Sequence, residues 1–363
     1  MFQIREYIPL APFTTLGVGG SARYFCEPEC ENDIERAYAF AKEKEVPLFI
    51  LGGGSNLLVS DDGYPGIVVH PAFKGVSLEE ETEDSLSLCV GAGEVWDDFV
   101  IWSVKHDAAG FECLSGIPGT VGGFVFENAG AYRQNCSDHI VSVDAFDIRE
   151  GIWRRFSKEE CEFSYHMSFF KKNIGRYFIA RAYFNVPRSR TVRTRCAYKD
   201  NRFDFSKMFP EDKPMPSLEE MRNAILNVRG EKGMLIMREF ESFKSAGSFF
   251  GLPPVTREDF ARITREAERL DAKKILDLAP WYWEQQDGSV KIAPAFLLEF
   301  TSFTKGYRRG NVGISPKHSL AIVNYGGGTA EEIRCLAEDM KKSVFELFGV
   351  LLVPEVTYVG FHA

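Results

Sequence analysis

Leu51-Gly-Gly-Gly-Ser-Asn-Leu-Leu58 begins where a short apolar run, Leu48-Phe-Ile-Leu51, ends, and that run reads as a buried strand. Two more glycine turns punctuate the first third of the chain: Gly91-Ala-Gly93, after the strand pattern Leu86 to Val90, and Gly116-Ile-Pro-Gly-Thr-Val-Gly-Gly123. A tight turn explains any one of them. Three together point to backbone that must come close to a bulky anion, because glycine permits positive φ and successive N–H groups can then converge on phosphate oxygens. The familiar cradles do not fit. A dinucleotide fingerprint needs G-x-G-x-x-G, and in Gly91-Ala-Gly93-Glu-Val-Trp96 the third glycine position holds a tryptophan. No glycine cluster is followed by Lys-Ser or Lys-Thr, which excludes a P-loop. The cradle is of another kind.

Working outward, the first third alternates helix and strand. Glu31 to Glu45 reads as a helix with Ile34, Ala37, Tyr38 and Ala41 on one face, capped by Asn32 or Asp33. Val95 to His106 reads as a second helix. Val141 to Ile148, Ile152 to Phe156 and Tyr177 to Val186 read as strands. Three prolines and mixed charges between Phe205 and Pro216 mark a domain boundary. Beyond it, Ser217-Leu-Glu-Glu220 is a capping box opening a helix, and Thr256 to Leu270 is another helix. Thr329-Ala-Glu-Glu332 opens the clearest helix, striped by Ile333, Leu336, Met340, Val344 and Leu347 and stopped by Gly349. Leu351 to Val359 reads as a closing strand that carries Glu355.

The chain has 363 residues, enough for two or three domains. Its 43 Lys and Arg against 52 Asp and Glu give a net charge of −9, which supplies no broad cationic field for nucleic acid or an anionic membrane. The 45% hydrophobic content excludes a disordered chain. No signal-type apolar run opens the sequence and no stretch suggests a spanning helix, so a cytoplasmic protein is expected. The eight cysteines form no C-x-x-C pair, and neither a metal site nor a disulfide framework is expected.

A set of motifs occurs in one order: Thr14-Thr-Leu-Gly-Val-Gly-Gly20, Leu51 to Leu58, Gly91-Ala-Gly93, Ser115 to Gly123, Asn128-Ala-Gly-Ala-Tyr132, Ser245-Ala-Gly-Ser-Phe-Phe250, Asp287-Gly-Ser-Val-Lys291, Ser315-Pro-Lys-His318, Ile322-Val-Asn324 and Pro354-Glu-Val356. The ordered set resembles the UDP-N-acetylenolpyruvoylglucosamine reductase (UDP-N-acetylmuramate dehydrogenase) family over nearly the whole chain. The resemblance implies an α+β protein: a two-subdomain FAD-binding fold of the vanillyl-alcohol-oxidase (PCMH) type, at 1–70 and 71–212, and a C-terminal α+β substrate domain at 213–363. It implies FAD held by Gly52, Gly53, Gly54, Ser55, Asn56, Gly116, Ile117, Pro118, Gly119, Thr120, Gly122 and Gly123. NADPH would be the hydride donor, and UDP-N-acetylglucosamine enolpyruvate the substrate, in peptidoglycan precursor synthesis. Hydride would pass from flavin N5 to the vinyl carbon, and the enolate would then be protonated to give UDP-N-acetylmuramate. A monomer or weak oligomer is expected.

Hydride addition leaves negative charge on the enolpyruvyl carboxylate, so the site needs cationic or hydrogen-bonding groups there and a proton donor for the adjacent carbon. By the resemblance, Ser248 is that donor, Glu355 polarises the enolate or relays the proton, and Tyr165 lies beside flavin and substrate. Tyr198 would cover the substrate. Their commoner roles are a turn serine, a solvated glutamate and a core tyrosine.

The sequence departs from the family where cations are wanted. His166 stands in the place of an arginine, Gly251 of a lysine and Thr357 of an arginine, and Lys232-Gly-Met234 follows Arg229. Each lost charged hydrogen bond removes about 1.5–3 kcal/mol, and Arg229, Lys232 or Arg238 would have to compensate. A working, charged His166 would make activity fall as pH rises through its pKa. The departures leave two alternatives open: the same fold acting on a different nucleotide sugar or enolpyruvyl ether, or a catalytically silent flavoprotein that binds one.

Overall fold

The computed structural model describes residues 2–190, 203–210, 212–235, 244–251, 254–278, 280–285 and 287–361. Tyr198 and Arg238 lie outside the described residues.

The first sheet contains β1 (Arg5–Pro9), β2 (Ser21–Cys26), β3 (Leu48–Ile50) and β5 (Tyr64–Val69), in the order β1-β2-β5-β3. Its last three strands are parallel. The connection from β2 to β3 is α1 (Glu31–Glu43), which buries Ile34, Ala37 and Ala41 against Ile67 and Val69. The expected cap is not used. Cys30 is the N-cap, and Asp33, inside the helix, accepts from the Glu29 N–H at 3.2 Å instead. The strand β4 (Leu57–Val59) leaves this sheet and pairs elsewhere.

The second sheet is antiparallel, in the order β11-β10-β12-β7-β6, from β6 (Val76–Glu81), β7 (Ser85–Gly91), β10 (Ile140–Asp147), β11 (Ile152–Ser157) and β12 (Tyr177–Pro187). A small hairpin, β8 (Gly130–Ala131) and β9 (Gln134–Asn135), precedes β10. Two helices, α2 (Trp96–Lys105) and α3 (Val121–Glu127), pack on the sheet through one continuous core. Trp96, which breaks the dinucleotide spacing, is fully buried there. Its ring stacks on Phe124 at 3.8 Å, and its Nε1 donates to the Leu114 carbonyl at 3.2 Å. The large ring thus pins both ends of the third glycine loop, where a dinucleotide fold needs close helix–strand packing. Two short helices, α4 (Phe169–Lys172) and α5 (Phe205–Met208), follow.

Ser217 and Glu220 form the expected capping box of α6 (Leu218–Glu231). This helix packs Met221, Ala224, Ile225 and Val228 against Cys113, Tyr132 and Phe205, and Arg222 grips Asp97 of α2 with two hydrogen bonds of 2.7 Å. The Gly116 N–H also donates to Asp97, at 2.6 Å. Burial alone would raise the Asp97 carboxyl, but the guanidinium and this N–H more than offset it and hold the pKa below the ordinary range.

The C-terminal core holds the sheet β13-β19-β18-β17, made of β13 (Lys244–Ser245), β17 (Arg308–Arg309), β18 (Val312–Ile314) and β19 (Ile322–Asn324). Three helices cover it: α7 (Arg257–Asp277), α8 (Pro294–Leu298) and α9 (Ala330–Phe348). The expected helix from Thr256 to Leu270 continues to Asp277 with a non-helical residue at Asp271. The Thr329 capping box and the left-handed Gly349 stop of α9 stand as read. Two antiparallel pairs complete this half: β14 (Phe250–Gly251) with the distant β20 (Val353–Pro354), and the hairpin β15 (Tyr282–Glu284) with β16 (Val290–Ile292). The expected closing strand is split at Glu355-Val356 into β20 and β21 (Thr357–Val359). The split lets β20 pair within the C-terminal half, while β21 crosses over to pair in parallel with β4. Asp61 seals the same junction by accepting from the N–H groups of Ala330 and Glu331 at the start of α9, at 2.8 and 2.9 Å. No helix among the described residues is long and apolar enough to cross a membrane.

Candidate functional site

The first and third glycine loops meet backbone to backbone. A Cβ on Gly53 would lie 2.5 Å from the Gly119 Cα, so only glycine allows this approach. Gly54 takes φ +61° and faces the Phe13 carbonyl, which a side chain would strike. Thr120 turns the loop into α3 by accepting from the Gly123 N–H at 3.3 Å. A Cβ on Gly52 or Gly123 would meet nothing nearer than the Thr120 Oγ1, at 3.4 and 3.5 Å, so these two positions are less confined than Gly53. The two loops together form a backbone cradle compatible with a diphosphate-bearing cofactor.

Next to it, the Gly116 turn abuts Arg229. A Cβ on Gly116 would lie 3.6 Å from the Arg229 Nε. Arg229 is 5% exposed, its Nη2 donates to the Met234 carbonyl at 2.9 Å, and its Nε has no partner among the described residues. Burial lowers its pKa, against the pull of Tyr132 and Asp97. Lys232, also 5% exposed, lies over the rings of Tyr132 and Phe203, at 5.9 and 5.2 Å. The structure therefore places Arg229 and Lys232 at the end of α6, against the third glycine loop and Tyr132.

The remaining residues gather around the C-terminal end of α3, at Glu127 and Asn128. Ser164 and Met167 exchange backbone hydrogen bonds of 3.0 and 3.1 Å, which leaves Tyr165 and His166 at the tip of a tight turn. His166 sits at φ +49°, a left-handed conformation in which histidine is enriched among non-glycine residues. Tyr165 is 75% exposed rather than a core residue. Behind the turn, the Lys171 Nζ donates to the His166 carbonyl at 3.1 Å and to the Glu127 Oε2 at 2.5 Å. Asn56, last residue of the first glycine loop, donates from Nδ2 to the Glu127 Oε1 at 3.1 Å and to the Glu355 carbonyl at 3.3 Å. Its own carbonyl accepts from the Thr357 N–H at 3.0 Å.

Glu355 is set in place by the β20–β21 split. Its N–H donates to the Phe249 carbonyl at 3.0 Å, which brings the loop residue Ser248, two positions before β14 and next to Phe249 in the chain, close to Glu355. A Cβ on Gly251 would come within 2.6 Å of the Glu355 Oε1, so the glycine found at 251 gives this carboxylate its room. Although Glu355 retains solvent-accessible surface, crowding by protein atoms raises its carboxyl pKa. Lys171 and Lys291 pull it down, and Glu127 pushes it up. Half-buried His166 is shifted the other way: burial lowers its pKa, the charges of Lys171 and Lys291 lower it further, and Glu127 alone raises it. These surroundings favour the neutral imidazole over the charged form in the arginine's place.

The sequence reading assigned no role to Glu127, Lys171 or Lys291. Lys171 closes the same seven-residue stretch as Tyr165, and Lys291 closes Asp287-Gly-Ser-Val-Lys291, so their positions were visible. Their meeting was not, because the Lys171–Glu127 pair and the approach of Lys291 to Tyr165 are tertiary contacts.

Residues 22–157 match the FAD binding domain family. With the glycine cradle, this defines a flavoprotein, an FAD-dependent oxidoreductase with a separate C-terminal half. Residues 238–359 match the C-terminal domain of UDP-N-acetylenolpyruvoylglucosamine reductase. Curated relatives bearing that enzyme's name include one from Thermobifida fusca, 36% identical over 97% of both chains, and one from Pseudomonas aeruginosa, 34% identical over 97% of this chain and 98% of the relative. The crystal structure of the Thermus caldophilus reductase superposes with a TM-score of 0.62 over 99% of this chain and all of that one, at 24% identity, and so shares the fold. The chain belongs to the UDP-N-acetylenolpyruvoylglucosamine reductase family.

Proposed function

We propose that this protein reduces UDP-N-acetylglucosamine enolpyruvate to UDP-N-acetylmuramate, with NADPH as reductant, in the synthesis of peptidoglycan precursors. The observation that carries the reading is the convergence of Glu355, the loop bearing Ser248 and the Tyr165 turn beside Asn56 of the glycine cradle. We take 1–70 and 71–212 as the flavin subdomains and 213–363 as the substrate domain, with α6 reaching back onto the second. Residues 52–56 and 116–120, with Gly122 and Gly123, would hold FAD, which supplies the hydride when bound. Arg229 and Lys232, buried beside that loop, are the cations available to a nucleotide sugar on its far side.

The chain's own residues handle the proton. The Ser248 hydroxyl delivers one to the carbon next to the substrate carboxylate. Glu355, whose pKa is raised by crowding, holds a proton closer to neutrality than an ordinary glutamate and restores the one Ser248 gives up. Its protonated form is the working one, and that population falls as pH rises through the raised pKa. The rate at which substrate reoxidises the reduced enzyme should therefore fall over that range. Glu355→Gln should abolish the falling limb and lower the rate about 10²- to 10³-fold. His166→Phe should keep the limb, because the surroundings of the imidazole already favour its neutral form. A limb lost in His166→Phe and kept in Glu355→Gln would put the working proton on the imidazole.

The test of the whole reading is a spectrum followed by two additions. The purified protein should be yellow, bleach with NADPH under anaerobic conditions and recover its colour with UDP-N-acetylglucosamine enolpyruvate. Bleaching without recovery would indicate a different substrate. A colourless protein that FAD cannot reconstitute would end the flavin reading.

A further inference from the structure

Lys291 is the middle residue of β16, between Val290 and Ile292, both buried in the C-terminal core. The two-residue period of a strand turns its side chain out of that core. It crosses to the second flavin subdomain, where its Nζ lies 4.2 Å from the centroid of the Tyr165 ring. The Tyr165 ring in turn meets His166 edge-on at 4.3 Å.

The local charges separate into three groups. Glu127 and Glu355 bring carboxyl groups, and burial and the neighbouring lysines disfavour a charged His166. Lys171 is engaged by Glu127. Lys291 has no carboxylate partner among the described residues, and its contact with Tyr165 is a cation–π interaction worth about 0.5–1 kcal/mol at an exposed site. That contact holds the ammonium in place without neutralising it. A site that receives an anion and accumulates negative charge during reaction needs such an unspent cation.

We propose that Lys291 is the cation that receives the enolpyruvyl carboxylate of the substrate in this chain, taking the part for which position 166 holds only an imidazole. The proposal rests on the substrate assignment above. It also explains how Tyr165 contributes while largely exposed: its ring is the platform that aims Lys291. A carboxylate at this ammonium would lie beside the Tyr165 turn and within electrostatic reach of Glu355, which brings the carbon next to it toward the residues that handle the proton.

The test compares two nucleotide sugars, each followed by its perturbation of the flavin spectrum. UDP-N-acetylmuramate carries the carboxylate, and UDP-N-acetylglucosamine lacks it. Lys291→Met should weaken the first about 10- to 100-fold, the loss expected of one charged hydrogen bond, and leave the second unchanged. Lys291→Arg, which keeps the charge, should retain most of the preference. Equal weakening of both ligands would place Lys291 at the diphosphate or in the framework and overturn the proposal, as would wild-type affinity for both. A yellow wild-type protein that binds neither ligand would overturn the substrate assignment itself, and the proposal with it.

Discussion

Ser248→Ala should leave the bleaching of the flavin by NADPH unchanged and slow reoxidation by the enolpyruvyl substrate about 10²- to 10⁴-fold, the range for removing a positioned proton donor. The asymmetry follows from where Ser248 stands. It is half-buried, between the left-handed Gly247 and the buried Phe249. Its hydroxyl makes no hydrogen bond to another described residue. The turn and cap serines of this protein behave differently: the Ser289 Oγ donates to Asp287 at 2.6 Å, and the Ser217 Oγ donates to Glu220 at 2.9 Å. A serine that served only its own turn would be satisfied in the same way. An unspent hydroxyl beside Glu355 is available to a ligand, and removing it takes one oxygen from a site still open to solvent. Stability should change by less than about 1 kcal/mol. Stopped-flow absorbance resolves the two half-reactions. Equal slowing of both would show that Ser248 supports the fold or the cofactor and not the proton step.

How far the sequence reached depended on the range of the interaction concerned. The starts of α6 and α9 were legible to the residue because their capping boxes, Ser217 with Glu220 and Thr329 with Glu332, close within one turn. The α1 cap was misread because Asp33 bonds the Glu29 N–H from inside the helix, a choice that composition does not signal. The close approach of the glycine loops was legible because contact between backbones, as of Gly53 with Gly119, leaves no room for a side chain. The charges at the site were not, because each is set by a partner far along the chain: Lys171 by Glu127 across 44 residues, and the Glu355 backbone by Asn56 across 299. The loss of an arginine at 166 therefore looked like a deficit in the sequence. In the fold, two lysines from different halves stand around that turn, and their field is part of what disfavours a charged His166.

The contact between the two glycine loops gives the other large effect. Gly53→Ala should yield protein with little or no bound flavin. Gly53 does not have positive φ, so alanine is conformationally acceptable there and the whole effect is steric. The new methyl would lie 2.5 Å from the Gly119 Cα, 2.9 Å from the Gly119 carbonyl carbon and 3.1 Å from the Thr120 N. Carbon atoms in contact prefer about 3.5–4.0 Å, so the two loops must part by about 1 Å. All three obstructing atoms are backbone, and no side chain can rotate away. Overpacking of this kind costs about 1–3 kcal/mol of stability. The damage to function should be larger, because the displaced loop is the cradle itself. Thr120 also caps α3, and α3 ends in Glu127, which holds both Asn56 and Lys171. One methyl group should therefore disturb the phosphate-binding face and the acid–base cluster together. Visible flavin absorption per mole of protein, measured as purified and after incubation with excess FAD, reads the effect directly. Full flavin content at wild-type thermal stability would mean that the two loops can separate at no cost, and that their contact is not what shapes the cofactor site.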